Sequence, residues 1–323
     1  FFLSNFCWKN GRSLIYCLID IIIEIAVRIW ACFEIESVAE VVVANIKIVT
    51  DSSIQLTPEE IKQHHITVIP LTIMIDNTVY IDGETITRDQ FMTEMASASA
   101  LPKTSQPAIG NFIETYEQLA ADGSQILSIH MLRAISGTVD TARQAGEMAK
   151  ADVTVIDSDF TDRAMAFQVL KAAEVIEAGG SLEDALAAIQ AVHDNTKLYM
   201  GVTDLTNLVK GGRLSHAAGV ISSLLNIKVI LEVADSELKV LRKGRGMKTI
   251  TKFIDEMDDD LRKLKNVKAI GISHADGLEL SEKIKAQLQA AFPAIEILVR
   301  TTDPVIATHA GAGAFAVMYY TEN

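Results

Sequence analysis

Cysteine and tryptophan are missing from most of this chain of 323 residues. All three cysteines and both tryptophans lie within the first 32 residues. That composition excludes a disulfide-stapled small fold, and a cysteine-free body suits a reducing cytoplasm. Basic residues are also few, with 29 Lys and Arg against 42 Asp and Glu. Because proteins that bind nucleic acid need clustered Lys and Arg, this balance argues against a nucleic-acid partner.

Residues 1–44 differ in composition from the rest, and we predict that they form an atypical N-terminal extension. The isoleucine-rich stretch 14–30 is interrupted by Asp20, Glu24 and Arg28, so it falls short of the ~20 apolar residues that a spanning helix needs. The two acids also stand where a signal peptide has its apolar centre. We therefore expect neither stable membrane insertion nor secretion. The extension is either an interfacial helix or a non-native, poorly folded segment, and the second interpretation is favoured.

From residue 45 onward, short β-branched runs alternate with segments of helical spacing. The run 45–50 is followed by a helix start, with Thr57 as N-cap and Pro58 at the first helical position. This alternation predicts a parallel-sheet N-terminal α/β domain over residues 45–194. Later strands are short, and Asp235-Ser236 predicts a hairpin, which indicates a mixed-sheet C-terminal α/β domain over residues 195–323. The predicted fold class is therefore two-domain α/β.

Polar, hydroxyl-rich segments recur where helices are predicted to begin. They are Thr104-Ser105, Ser136-Gly137-Thr138 and the stretch from His309 to Gly313. Helix N-termini present unpaired N–H groups and a partial positive charge, so converging helix starts would form an anion pocket. Alternatively, each hydroxyl merely caps its own helix, which is the commoner role of such residues. His309 could likewise be an ordinary polar residue at a helix start.

The usual catalytic signatures are missing. The sequence contains no Walker loop, no G-x-G-x-x-G after the first strand, no H-E-x-x-H, no G-x-S-x-G and no Cys/His metal spacing. Two Gly-Arg loops, at residues 210–213 and 243–245, are either solvated turns or a docking surface for an anionic partner.

Nine short segments, taken together, give the most specific signal in the sequence. They are Thr50-Asp51-Ser52, Val68-Ile69-Pro70-Leu71, Tyr80-Ile81-Asp82, Thr104-Ser105-Gln106-Pro107, Ser136-Gly137-Thr138, Val155-Ile156-Asp157-Ser158, Lys210-Gly211-Gly212-Arg213, Ile272-Ser273-His274-Ala275 and Thr308-His309-Ala310-Gly311. In this order and spacing the chain from about residue 46 to its end resembles the DegV family of bacterial lipid-binding proteins. The better-understood members of that family are the fatty-acid-binding subunits of fatty acid kinase.

The resemblance implies a long-chain fatty acid bound between the two domains. Its carboxylate would be held by Thr104, Ser105, Ser136, Gly137 and His309. It also implies a cytoplasmic lipid-binding subunit without catalytic residues, metal or cofactor of its own. A separate ATP-dependent kinase would then phosphorylate the bound carboxylate to an acyl phosphate, with Arg213 and Arg245 docking that partner.

Two other functions remain open at this point. The chain could be a stand-alone hydrolase or phosphotransferase that uses His309 or His274 as its base, although the sequence lacks a matching nucleophile and orienting group. It could also be a structural or regulatory module whose polar loops only cap helices.

Overall fold

The computed structural model of the chain describes residues 45–213 and 226–322. The extension predicted over residues 1–44 lies outside the described residues. The earlier half comprises β1 (Ile46–Asp51), α1 (Pro58–Gln63), β2 (Thr67–Ile69), β3 (Thr72–Ile75), β4 (Thr78–Ile81), α2 (Arg88–Ser97), β5 (Lys103–Ser105), α3 (Ile109–Leu119), β6 (Gln125–His130), α4 (Thr138–Met148), β7 (Val153–Asp157), α5 (Asp162–Glu177) and α6 (Leu182–Asp194). The later half comprises β8 (Thr196–Val202), α7 (Thr206–Lys210), β9 (Ile227–Ala234), β10 (Glu237–Arg245), α8 (Lys248–Leu261), β11 (Val267–Ala275), α9 (Leu278–Ala291), β12 (Leu298–Thr301), α10 (Pro304–Ala310) and β13 (Ala314–Thr321).

The first sheet contains four parallel strands in the order β2-β1-β6-β7. Successive side chains of a strand point to opposite faces, and both faces of this sheet are covered. Val49 and Ile126 pack with the buried residues of α3 and α4. Ile48 and Leu127 pack with those of α5. The prediction of a parallel-sheet α/β region is confirmed.

A small antiparallel sheet, in the order β4-β3-β5, branches from the first region. Pro70 separates β2 from β3. The helix start predicted at Thr104 and Ser105 is wrong. Both residues lie in β5, opposite Ile73 and Thr72 respectively, and α3 begins only at Ile109.

The second sheet is mixed, with six strands in the order β10-β9-β8-β13-β11-β12. Only the pair of β11 and β12 is parallel. The predicted hairpin is confirmed, because β9 and β10 are joined through Asp235 and Ser236, whose φ angles are 52° and 57°. Positive φ at both central residues is the backbone of a type I′ turn.

Helix α5 connects the two regions through packing. Its residues Ala164, Met165 and Phe167 are buried in a core that also contains Ile48 of the first sheet and Met318 of the second. The two regions therefore share one hydrophobic core around α5. No helix within residues 45–213 and 226–322 is long and apolar enough to cross a membrane. The division into two domains at residue 194 stays a prediction.

Candidate functional site

An apolar pocket lies between the two regions. It contains about 630 Å³ of empty space, part of which is open solvent. Both regions supply apolar walls, and the polar groups on the wall are few. The apolar lining includes Met131, Leu132 and Ile135 after β6, Leu198, Val233 and Leu238 of the second sheet, and Val305, Ile306 and Ala310 of α10. The polar lining consists of Thr161, Asp162, Arg213 and His309.

His309 is placed by the short helix α10. Asp303 caps this helix by accepting hydrogen bonds from the N–H groups of Val305 and Ile306, and Pro304 occupies its first position. The sequence-based prediction that His309 begins a helix is wrong, because it lies in the last turn of α10, and the glycine-rich stretch after it leads into strand β13. Of the three predicted helix starts, only Ser136-Gly137-Thr138 lies at a helix N-terminus. Within the described residues, the three predicted segments therefore do not form a pocket of converging helix N-termini.

The His309 ring contacts Thr104 across the boundary of the regions. His309 Nε2 lies 3.0 Å from Thr104 Oγ1, and Nδ1 has no partner among the described residues. Burial and the neighbouring charge of Arg213 lower the pKa of His309 to about 4. The ring is therefore neutral at pH 7. With its proton on Nε2 it donates to Thr104, which leaves the threonine hydroxyl proton free for an anion.

Thr104 and Ser105 cannot both face His309, since neighbours on a strand point to opposite sides. Thr104 makes the contact, whereas Ser105 is exposed. No hydrogen bond within the described residues joins the Ser105 hydroxyl to another site residue. The role of Ser105 in holding a carboxylate stays a prediction.

The segment Ser136-Gly137-Thr138 opens helix α4, as the sequence predicted. The Ser136 hydroxyl lies 2.8 Å from the Thr138 hydroxyl and accepts a longer bond, 3.3 Å, from the Thr138 N–H. Gly137 is the N-cap and has no side chain to satisfy the helix end. A methyl group at 137 would lie 2.2 Å from Gln106 Oε1, and Gln106 in turn donates to Thr141 on the same helix.

Gln106 and Arg213 tie these separate segments together. Gln106 follows Thr104 by two residues and packs against Gly137. Arg213 Nε donates to the Ile135 carbonyl at 3.3 Å, and Arg213 lines the same cavity as His309. These contacts link Thr104, His309 and the start of α4, and of these groups His309 lines the pocket. Sequence reasoning gave Gln106 no role, and Arg213 only a docking role, because neither contact has a local sequence signal.

The two predicted docking arginines occupy different surroundings. Arg213 is half-buried in the pocket wall, and its Nη1 also donates to the Gly211 carbonyl at 2.8 Å. Arg245 is exposed at the end of β10, opposite Ile227. Docking of a partner by either residue stays a prediction.

A Ser-His-Asp arrangement occurs elsewhere, inside the first sheet. Ser128 Oγ lies 2.7 Å from His130 Nε2, and His130 Nδ1 lies 3.0 Å from Asp51 Oδ2. All three residues have no exposed surface, and Phe112 packs edge-on against the imidazole at 5.2 Å. Ser128 is also bonded to the Tyr116 hydroxyl. Because no substrate can reach the serine, this is a structural hydrogen-bond network rather than a nucleophilic site.

Asp162 brings a buried carboxyl group to the pocket wall. Thr302 and Ser273 donate hydroxyl hydrogen bonds to it. Burial raises the pKa of Asp162 to about 6, although the charge of Arg88 and the two hydroxyls favour the ionised form. Within the described residues, no group of three or more His, Cys, Asp or Glu is arranged to hold a metal ion.

Comparison with known proteins agrees with this architecture. A family model described as "Uncharacterised protein, DegV family" matches residues 45–322. The DegV domain-containing protein YejH of Lactococcus lactis is 47% identical over 274 residues, which is 84% of this chain and 98% of that protein. The structure of DegV, a fatty acid binding protein from Bacillus subtilis, has a TM-score of 0.80 at 33% identity and covers 86% of this chain and 100% of that one. A fatty-acid-binding DegV family protein from Thermus thermophilus has a TM-score of 0.78 at 26% identity, with 86% and 99% covered.

Proposed function

The chain belongs to the DegV family, and we propose that it binds one long-chain fatty acid in the pocket between its two sheets. The observation that carries this proposal is an apolar pocket lined by His309, whose ring contacts the Thr104 hydroxyl. The related proteins from B. subtilis and T. thermophilus are described as fatty acid binding.

The acyl chain supplies most of the affinity. Burial of a hydrocarbon chain contributes roughly 0.8 kcal/mol per CH₂, and the wall around it is formed largely by Leu, Ile, Val and Met side chains. A pocket of this kind binds many chain lengths, so the polar end has to orient the ligand.

The carboxylate is held at the end formed by Thr104, His309 and the start of α4. Thr104 donates its hydroxyl proton while the neutral His309 ring donates to Thr104. Ser136, Gly137 and Ser105 supply further hydroxyl and backbone donors. Hydrogen bonds to an ionised acceptor are about twice as strong as neutral ones. Arg213 in the same wall adds a positive charge that favours an anionic head group.

The protein acts as a carrier for a separate ATP-dependent kinase in the cytoplasm. A hydroxyl group, that of Thr104, lies beside the His309 ring, but a ring with a pKa of about 4 is a poor proton acceptor at neutral pH and so a poor base for activating it. The kinase would convert the bound carboxylate into an acyl phosphate, and Arg245 at the surface would contact it.

Binding measurements with a conservative threonine variant test this proposal. Thr104→Val keeps the shape of the side chain but removes the donated proton, so we expect the affinity for palmitic acid to fall roughly tenfold or more. The matched control is Thr93→Val on the exposed face of α2, which should bind as the unaltered protein does. Equal affinities for the two variants would contradict the head-group assignment, and no measurable binding by the unaltered protein would contradict the function.

A further inference from the structure

A second, smaller cavity adjoins the fatty-acid pocket and contains about 220 Å³ of empty space, part of which is open solvent. We call this cavity the side chamber. The residues that line it but do not line the fatty-acid pocket include Ser273, His274 and Thr302. The two cavities share Asp162, Met200, Ile306, Ala310 and Ala316. Neither His309 nor Arg213 lines the side chamber. It therefore meets the acyl part of a bound lipid and not its carboxylate.

The wall of the side chamber is more polar than an acyl chain requires. Ser273 Oγ donates to Asp162 at 3.2 Å, and Thr302 Oγ1 donates to it at 3.0 Å. Since each hydroxyl has one proton, both oxygens keep lone pairs that can accept a further bond. Alanines at 275, 314 and 316 leave room beside these groups.

His274 supplies an unsatisfied polar atom in this wall. The residue is only 6% exposed, and its Nδ1 is buried with no hydrogen-bond partner among the described residues. Buried polar atoms are nearly always paired, so an unpaired Nδ1 on a residue that lines a cavity indicates a group that binds there. An unsubstituted hydrocarbon chain offers no such group.

We infer that the side chamber is a subsite for a hydroxyl group carried at mid-chain by a fatty acid. This inference rests on the proposed function and adds the class of acyl chain that the pocket selects. A hydroxyl can donate to Nδ1 of His274 or accept from it, so it fits either tautomer of the ring. It can also donate to the free lone pairs of Ser273 and Thr302. An aliphatic chain would leave Nδ1 of His274 unpaired.

Competition between two lipids tests the inference directly. The chain of 323 residues, freed of lipid, is mixed with equal amounts of octadecanoic acid and a mid-chain hydroxyoctadecanoic acid, and the retained acids are counted by native mass spectrometry. Because a hydrogen bond to a buried orphan commonly changes affinity severalfold, we expect at least about a fivefold preference for the hydroxylated acid. Parity or preference for octadecanoic acid would overturn the inference while leaving fatty acid binding intact. Retention of neither acid would overturn the proposed function as well.

Variants of the chamber separate recognition from structure. His274→Phe removes Nδ1 and should lower the preference to parity or below, whereas His274→Asn places an amide near the position of Nδ1 and should keep it. Thr302→Val is nearly isosteric and provides a second test should the phenylalanine variant fail to fold. The isomer with its hydroxyl next to the carboxylate is the ligand control, and its retention relative to octadecanoic acid should not depend on residue 274. A mid-chain preference that survives both His274→Phe and Thr302→Val would contradict the inference.

Discussion

His309 links the two regions of the chain at the candidate site. Its ring is held at a helix C-terminus, contacts Thr104 from the other region of the chain, and is kept neutral by burial and by Arg213. The sequence predicted that His309 and Thr104 belong to one site. It did not predict their direct contact, because the residues are 205 positions apart and nothing local to either segment encodes the pairing.

The raised pKa of the single residue Asp162 leads to a prediction about how the stability of the fold depends on pH. Its folded pKa is raised to about 6, so the fold holds its proton more tightly than the unfolded chain does. The stability that protonation contributes is complete below about pH 4 and is lost as the pH rises through 6. Asp162→Asn should therefore stabilise the protein by about 1–3 kcal/mol at pH 7.5 and by nearly nothing at pH 4. Chemical denaturation at the two pH values measures this difference, and an equal effect at both would contradict it.

Asp51 is the matched control for that experiment. Burial alone would raise the pKa of Asp51, but hydrogen bonds from His130, Ser53 and the Met131 N–H lower it below its usual value. The stability that the ionised Asp51 carboxylate contributes to the fold is therefore present at neutral pH and lost as the pH falls. Asp51→Asn should destabilise the protein at pH 7.5, which is opposite in sign to Asp162→Asn.

At the scale of elements, the sequence predicted the order of strands and helices better than their ends. The cap at Thr57 and the hairpin at residues 235–236 have local chemistry, and both are confirmed. Thr104 and Ser105 are different, because pairing with β3 decides their conformation. Long-range pairing of this kind overrides the local sequence pattern.

The centre of the second sheet carries a prediction about packing. Gly201 of β8 lies opposite Phe315 of β13, and a methyl group at 201 would lie 2.1 Å from the phenylalanine ring. Gly201→Ala should lower the free energy of unfolding by about 1–3 kcal/mol through overpacking. Thermal and urea unfolding measure the change, and the double variant with Phe315→Leu should recover part of it.

The control for this packing effect is Gly110→Ala in α3. A methyl group at 110 meets no atom within 4 Å, so the change should stabilise the helix by roughly 0.5–1 kcal/mol. Destabilisation of similar size by both glycine substitutions would show that Phe315 is not the cause.

For the whole molecule, composition and strand-helix order were enough to predict two α/β regions, and nine short motifs were enough to suggest the family. The pocket itself could not be predicted, because its wall combines Leu132, Leu238 and Val305 from distant parts of the chain. The polar side chamber is likewise formed only when β11 and α10 pack beside α5.

The proposed docking of a kinase involves the surface of the whole molecule and can be tested separately from the proposed lipid binding. Arg245→Glu should leave retention of palmitic acid unchanged but reduce kinase-coupled acyl phosphorylation about tenfold or more, because it reverses a charge on the exposed surface. Arg213→Glu should reduce both, since Arg213 lines the pocket. Lys62→Glu on exposed α1 is the charge-matched control and should change neither. Normal phosphorylation by the Arg245 variant would remove that residue from the docking surface.

A crystal structure of the protein with palmitic acid tests the central claim most directly, because it locates the carboxylate. We expect the carboxylate oxygens within about 3.5 Å of Thr104 Oγ1 or of the donors at the start of α4. The hydrocarbon chain should extend between Leu132 and Leu238. A lipid bound with its carboxylate at another place, or a pocket left without lipid at saturating palmitic acid, would contradict the account.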